Sequence, residues 1–71
     1  MDNLKVKEKE MNIEKLKDLR KRNKISQEDM ARALDITLRT YQSKENGKTK
    51  FYFDEAIKIA DKLEVKLEEL I

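Results

Sequence analysis

Ser26-Gln27-Glu28-Asp29-Met30-Ala31-Arg32-Ala33-Leu34-Asp35-Ile36-Thr37-Leu38-Arg39-Thr40-Tyr41-Gln42-Ser43-Lys44-Glu45-Asn46-Gly47-Lys48 is the stretch whose reading decides the fold. It divides into two short helices with a tight break between them. Ser26 suits a helix start, because its hydroxyl can accept one of the backbone N–H groups that a first turn leaves unpaired. Glu28 and Asp29 follow where the helix dipole is positive. Met30, Ala33 and Leu34 form the expected buried side. Asp35 stops this helix, Ile36 is an apolar plug, and Thr37 caps a second helix from about Leu38 to Asn46, with Tyr41 facing inward. Gly47 is the only glycine in the chain and closes that helix as a left-handed cap. A connection of about three residues forces such helices to cross steeply, at roughly 90–120°.

The second helix then projects from the body with a polar face carrying Leu38, Arg39, Thr40, Gln42 and Ser43. A helix about 10–12 Å wide fits the major groove of B-form DNA, which is about 12 Å across. Arginine and glutamine can make paired hydrogen bonds to a base edge, and leucine and threonine methyl groups can pack on a thymine methyl.

Outside this stretch the pattern is helical as well. Asn12 caps a first helix with Ile13, Leu16 and Leu19 on one side, ended by Asn23 and Lys24. Lys48 to Tyr52 form a connector. Phe53, Ala56, Ile57, Ala60 and Leu63 mark a fourth helix, and Leu67, Leu70 and Ile71 a last short one folding back on the core. Tyr41, Phe51, Tyr52 and Phe53 are expected in core and stapling positions. Asp54, Glu55 and Asp61 are expected as helix-end and surface charges rather than a carboxylate site. Residues 1–11 alternate lysine and glutamate around Leu4 and Val6, and read as a charged leader or an extension of the first helix.

Composition narrows the function. With 71 residues there is room for one small core. Cysteine and histidine are absent, which removes disulfides, thiolate metal sites and every nucleophile pair built on histidine. Proline is absent too, so little interrupts helices. No apolar run approaches the roughly 18 residues of a membrane span, and the expectation is a cytoplasmic protein. Net charge is only +2, but it is unevenly placed. Arg39, Lys44, Lys48 and Lys50 face Glu45 alone in residues 37–50, whereas residues 51–71 hold three lysines against six acids. A basic middle backed by an acidic end suits a polyanion on one side.

Taken in order, Leu16, Leu19-Arg20, Ile25-Ser26-Gln27-Glu28-Asp29-Met30-Ala31, Leu34-Asp35-Ile36-Thr37, Tyr41 and Glu45-Asn46-Gly47-Lys48 resemble the phage repressor and Cro-like helix-turn-helix family. Residues 55–70 resemble its last two helices, so the likeness covers residues 12–71. It implies a compact five-helix domain of the lambda-repressor-like type that binds double-stranded DNA, represses transcription by occupying an operator, and uses no catalysis, metal or cofactor. No small-molecule ligand and no membrane are implied as partners. By the same resemblance Gln27 approaches a phosphate. Thr37, Leu38, Arg39, Thr40 and Ser43 face bases or flanking phosphates, with Thr37 assigned to the backbone and Gln42 beside them as a base reader. Asn46, Lys48 and Lys50 contact the sugar-phosphate backbone, and Arg20 and Glu45 form a partly buried ion pair.

Two positions depart from the family pattern. Asp35 stands where glycine is usual, and aspartate tolerates the left-handed turn at some cost. Lys44 occupies an apolar position; its stem is expected to pack while the ammonium reaches water. One such module covers roughly 600–1,000 Å² of DNA. A homodimer, at least on DNA, is therefore expected, reading half-sites about 34 Å apart. Its surface would come from Val65, Leu67, Leu70 and Ile71 or from the leader, unless those four residues close the core. The competing reading is a protein-binding module, such as an antitoxin or an antirepressor partner, that keeps the shape.

Overall fold

The computed structural model describes residues 11–71, so the leader expected over residues 1–11 lies, apart from Met11, outside the described residues. Among the described residues four α-helices follow in order: α1 Ile13–Arg22, α2 Gln27–Leu34, α3 Leu38–Glu45 and α4 Phe53–Leu63. A single 3-10 turn, Leu67–Leu70, stands where a fifth helix was expected. Four residues give one turn, which the Glu69 N–H closes on the Lys66 carbonyl three residues back, the tighter 3-10 spacing. No strand occurs among the described residues.

The three expected caps are all made by side chains. Asn12, Ser26 and Thr37 accept the N–H groups of Lys15, Asp29 and Thr40 at 3.0, 3.0 and 3.1 Å. Each has extended backbone, as a cap requires.

All four helices end alike. Lys24, Asp35, Gly47 and Glu64 take left-handed backbone, with φ of 57, 59, 84 and 59°. In each case the left-handed residue donates three residues back, and its successor donates five residues back. The last carbonyls of each helix are thereby satisfied. Three of the successors are Ile25, Ile36 and Val65, which pack against the core and anchor the chain as it turns. Asp35 therefore does hold the turn in place of glycine. At Gly47 the successor is the exposed Lys48, so this end has no apolar anchor and falls to the one residue that enters the conformation freely.

Leu16 and Leu19 of α1, Met30, Ala31 and Leu34 of α2, Tyr41 of α3, Ile59, Ala60 and Leu63 of α4, and Leu70 form the core. Helix α2 packs on both α3 and α4, and the 3-10 turn packs on α1 and α4. Leu70 is fully buried, Val65 and Leu67 pack against the core, and Ile71 stays exposed. Met11, assigned to the leader from sequence, also packs on the core, and the Asn12 N–H donates to the Leu70 carbonyl.

Three sequence assignments change. In α2 the inward alanine is Ala31, and Ala33 is exposed. At about 100° per residue, Met30, Ala31 and Leu34 share the arc between α3 and α4, and Ala33 points away from it. In α4 the buried stripe is Ala56, Ile59, Ala60 and Leu63, leaving Phe53 and Ile57 exposed. Those two lie one turn apart, to one side of the buried stripe. Of the aromatics, Tyr41 is core and half-buried Phe51 meets its ring edge-on at 5.9 Å. Tyr52 and Phe53 are 67% and 70% exposed rather than stapled inside.

Glu64 carries a side chain in a conformation that costs L-residues roughly 1–2 kcal/mol, part of which glycine returns through its looser unfolded chain. Glu64→Gly should therefore stabilise the domain by about 0.5–1 kcal/mol, raising the melting midpoint by several degrees. A lowered midpoint in a thermal melt followed by circular dichroism would mean that this turn is not left-handed.

Candidate nucleic-acid interface

Helix α3 has two sides of different character. Tyr41, Lys44 and Glu45 are buried; Leu38, Arg39 and Thr40 are exposed; Gln42 and Ser43 are half-buried. The buried side fixes how the outer one is presented.

Glu45, 1% exposed, is the fixing point. Its carboxylate accepts from Arg20 Nε at 2.9 Å and from a terminal Arg20 nitrogen at 3.2 Å. It also accepts from the Tyr41 hydroxyl at 2.7 Å and from Gln27 Nε2 at 2.6 Å. The remaining Arg20 nitrogen donates to the Ile25 carbonyl at 3.0 Å, at the turn after α1. The ion pair that the family resemblance implies for Arg20 and Glu45 is thus present and bidentate. Burial alone would raise the Glu45 carboxyl, but the hydrogen bonds from Arg20, Tyr41 and Gln27 outweigh it and hold the group below its ordinary range. Burial, reinforced by the Glu45 carboxylate, pushes the Tyr41 phenol well above its ordinary value, so the phenol stays a donor.

A second buried pair was not legible as such. Lys44 is 5% exposed, and its ammonium lies 3.1 Å from Glu55 Oε1 and 2.9 Å from the Lys50 carbonyl oxygen, to which it donates. The Tyr52 ring sits 4.4 Å from the same nitrogen and the Phe51 ring 5.8 Å. The expectation that this ammonium reaches water is therefore overturned: a carboxylate, a carbonyl and two ring faces replace water around it. Glu55 is likewise not a surface charge. It is 7% exposed and also accepts the Tyr52 N–H at 2.8 Å at the start of α4. Lysine on α3 and glutamate on α4, eleven residues apart in sequence, carried no spacing signal; the apolar character of the Lys44 position was the only hint.

The other expected site residues fall into groups. Arg39 lies near the middle of the outer face of α3, with Leu38 and Thr40 exposed beside it. Thr37 accepts the Thr40 N–H and donates its own hydroxyl to Thr40 Oγ1 at 2.9 Å, so the two hydroxyls act as one unit at the start of the helix. Gln42, expected as exposed, is half-buried because its amide donates to Gln27 Oε1 at 3.2 Å across the gap to α2. Gln27 is bonded at both ends of its amide, to Glu45 and Gln42. Asn46, Lys48 and Lys50 are exposed after the helix, where the reversal at Gly47 returns the chain.

Among the described residues, no group of histidine, cysteine or acidic side chains could hold a metal ion, and no helix is long and apolar enough to cross a membrane. A helix-turn-helix family model, HTH_3, matches residues 16–70. The chain belongs to this family of DNA-binding regulatory domains. No curated protein and no solved structure matches it.

Glu45 sets an acid limit on stability. Its folded carboxyl binds protons less readily than the unfolded one, so its contribution is complete above the ordinary value of 4.5 and lost as pH falls through the lower folded value. Glu45→Ala strands Arg20 in the interior and should cost about 3–5 kcal/mol at neutral pH, measured by urea unfolding. A cost under about 0.5 kcal/mol would place the pair in solvent.

Proposed function

We propose that this domain is a sequence-specific double-stranded-DNA-binding transcription regulator acting as a repressor, with the outer face of α3 in the major groove of an operator. The observation that carries this reading is the asymmetry of α3. One side is locked by buried hydrogen bonds, while the other leaves Leu38, Arg39 and Thr40 exposed, with Lys48 and Lys50 exposed in the chain that follows the helix. An exposed basic and hydroxyl-bearing surface on so rigid a mount suits contact with a polyanion.

Roles follow from position. Arg39, near the middle of the face, is the principal base reader, with Leu38, Thr40, Gln42 and Ser43 around it. Gln27 and Thr37 at the starts of α2 and α3, and Asn46, Lys48 and Lys50 beyond the end of α3, flank the helix where the two DNA backbones would run. Two copies bind, because one module supplies only a modest interface. The C-terminal residues offer little surface for pairing, since Leu70, Val65 and Leu67 serve the core and Ile71 alone is exposed.

A second reading rests on Tyr52, Phe53 and Ile57, exposed around the start of α4. Such residues suit a protein contact, as the protein-binding alternative requires. Salt separates the two: duplex binding through phosphates weakens steeply with ionic strength, and a module that only binds protein has little affinity for duplex even at low salt.

Selection from a random duplex pool should return a palindromic consensus. On the selected site, Arg39→Ala should cost about 1–3 kcal/mol and relax preference at one base pair per half-site. Equal loss on every sequence would make Arg39 a phosphate contact. Lys48→Ala should weaken all duplexes alike and reduce the slope of log affinity against log salt by about one. An unchanged slope would remove Lys48 from the interface.

A further inference from the structure

We infer that Gln42 reads the exocyclic amino group of a base, and that Glu45 sets the direction of that reading through Gln27. The inference rests on the proposed DNA-binding reading and deepens it.

Hydrogen-bond polarity fixes the arrangement. An ionised carboxylate only accepts. Glu45 is buried among three donors that hold it ionised, so the end of Gln27 that lies 2.6 Å away must be its amino end. The carbonyl end of Gln27 then faces Gln42, and it can only accept. Gln42 must meet it with its own amino group, as the 3.2 Å contact from Gln42 Nε2 to Gln27 Oε1 records. The planar amide of Gln42 is thereby oriented. Its carbonyl oxygen occupies the other branch of the amide, turned away from the Gln27 oxygen.

A glutamine on an open helix face turns its amide over at little cost, and so accepts or donates as the partner demands. Gln42 does not have that freedom. Turning it would set its oxygen against the Gln27 oxygen, and relieving that contact would turn the Gln27 oxygen against Glu45. Gln42 therefore offers an acceptor in a fixed place and, beside it, the one N–H that its contact with Gln27 leaves over. In the major groove the complementary donors are adenine N6 and cytosine N4. Adenine answers both groups, N6 donating to the oxygen and N7 accepting the remaining N–H; guanine O6 and N7, thymine O4 and phosphate oxygens could meet only the N–H and would leave the oxygen unpaired. Gln42 lies at the α2-side border of the α3 face, so this contact is separate from that of Arg39. Gln27 and Glu45 are positioning residues here, and Gln42 touches the base.

The test uses the full chain and its selected duplex. Gln42→Ala should flatten preference at one base pair of each half-site. At that pair the amino-bearing base is replaced by an analogue lacking the amino group, purine for adenine or 2-pyrimidinone for cytosine. The wild-type chain should lose about three- to tenfold in affinity on this change, and Gln42→Ala should lose nothing further. Gln27→Met, which frees the Gln42 amide to turn, should show a clearly smaller loss than wild type on the same pair of duplexes. The comparison is made within each variant, so a general change in affinity or stability does not enter. If Gln42→Ala flattens no position, if the amino-deleted duplex binds the wild type equally well, or if Gln27→Met is as sensitive as wild type, the inference is wrong while the DNA-binding reading stands. If the wild type forms no duplex complex at all, the DNA-binding reading falls and takes the inference with it.

Discussion

A single buried carboxylate ties the three helices of the motif together. Glu45, at the last turn of α3, accepts from Arg20 of α1, Gln27 of α2 and Tyr41 of its own helix. A charge in so small a core is costly unless it is paired and fully hydrogen-bonded. Here the cost is offset only when all three helices stand in one arrangement. Apolar contacts among Leu16, Met30 and Leu34 tolerate small slides, whereas a bidentate guanidinium–carboxylate pair does not. The pair contributes more to uniqueness of geometry than to net stability, and geometry is what a helix presented to a partner needs.

Lys44 and Glu55 repeat the device between α3 and α4. Together the two pairs hold the inner side of α3 at consecutive residues. One reaches back towards the first two helices and the other forward to the fourth. The outer side inherits that rigidity without contributing to it, so Arg39 and Thr40 can vary in identity with little consequence for the fold. Separation of the residues that hold the helix from those that meet a partner is the structural basis for reading this surface as an interface.

Much of the fold was legible because it depends on local chemistry. Asn12, Ser26 and Thr37 announce helix starts with hydroxyl or amide oxygens, Asp35 with the apolar plug Ile36 announces the end of α2, and Gly47 that of α3. The family resemblance supplied the Arg20–Glu45 pair. What escaped was anything decided by which neighbours a helix meets. Ala31 rather than Ala33, and Ile59 rather than Phe53 and Ile57, are buried because α2 and α4 each face two partners, which periodicity along one helix does not record. Lys44 escaped for a related reason. A lysine amid charged residues reads as solvated until a glutamate from another helix and two aromatic rings are seen around it. The Gln27–Gln42 contact was hidden in the same way, since each glutamine alone reads as an exposed polar residue.

The central claim is that α3 meets DNA with its outer face. Titrating isotopically labelled protein with duplex at low salt, and following each backbone amide by NMR, tests it directly. Perturbations should concentrate at the start of α2, along Leu38–Ser43 and in Asn46–Lys50, and leave the outer face of α4 around Ile57 and Lys58 unmoved. Perturbations centred on α4, or none anywhere at tens of millimolar salt, where charge-driven contacts are favoured, would contradict it.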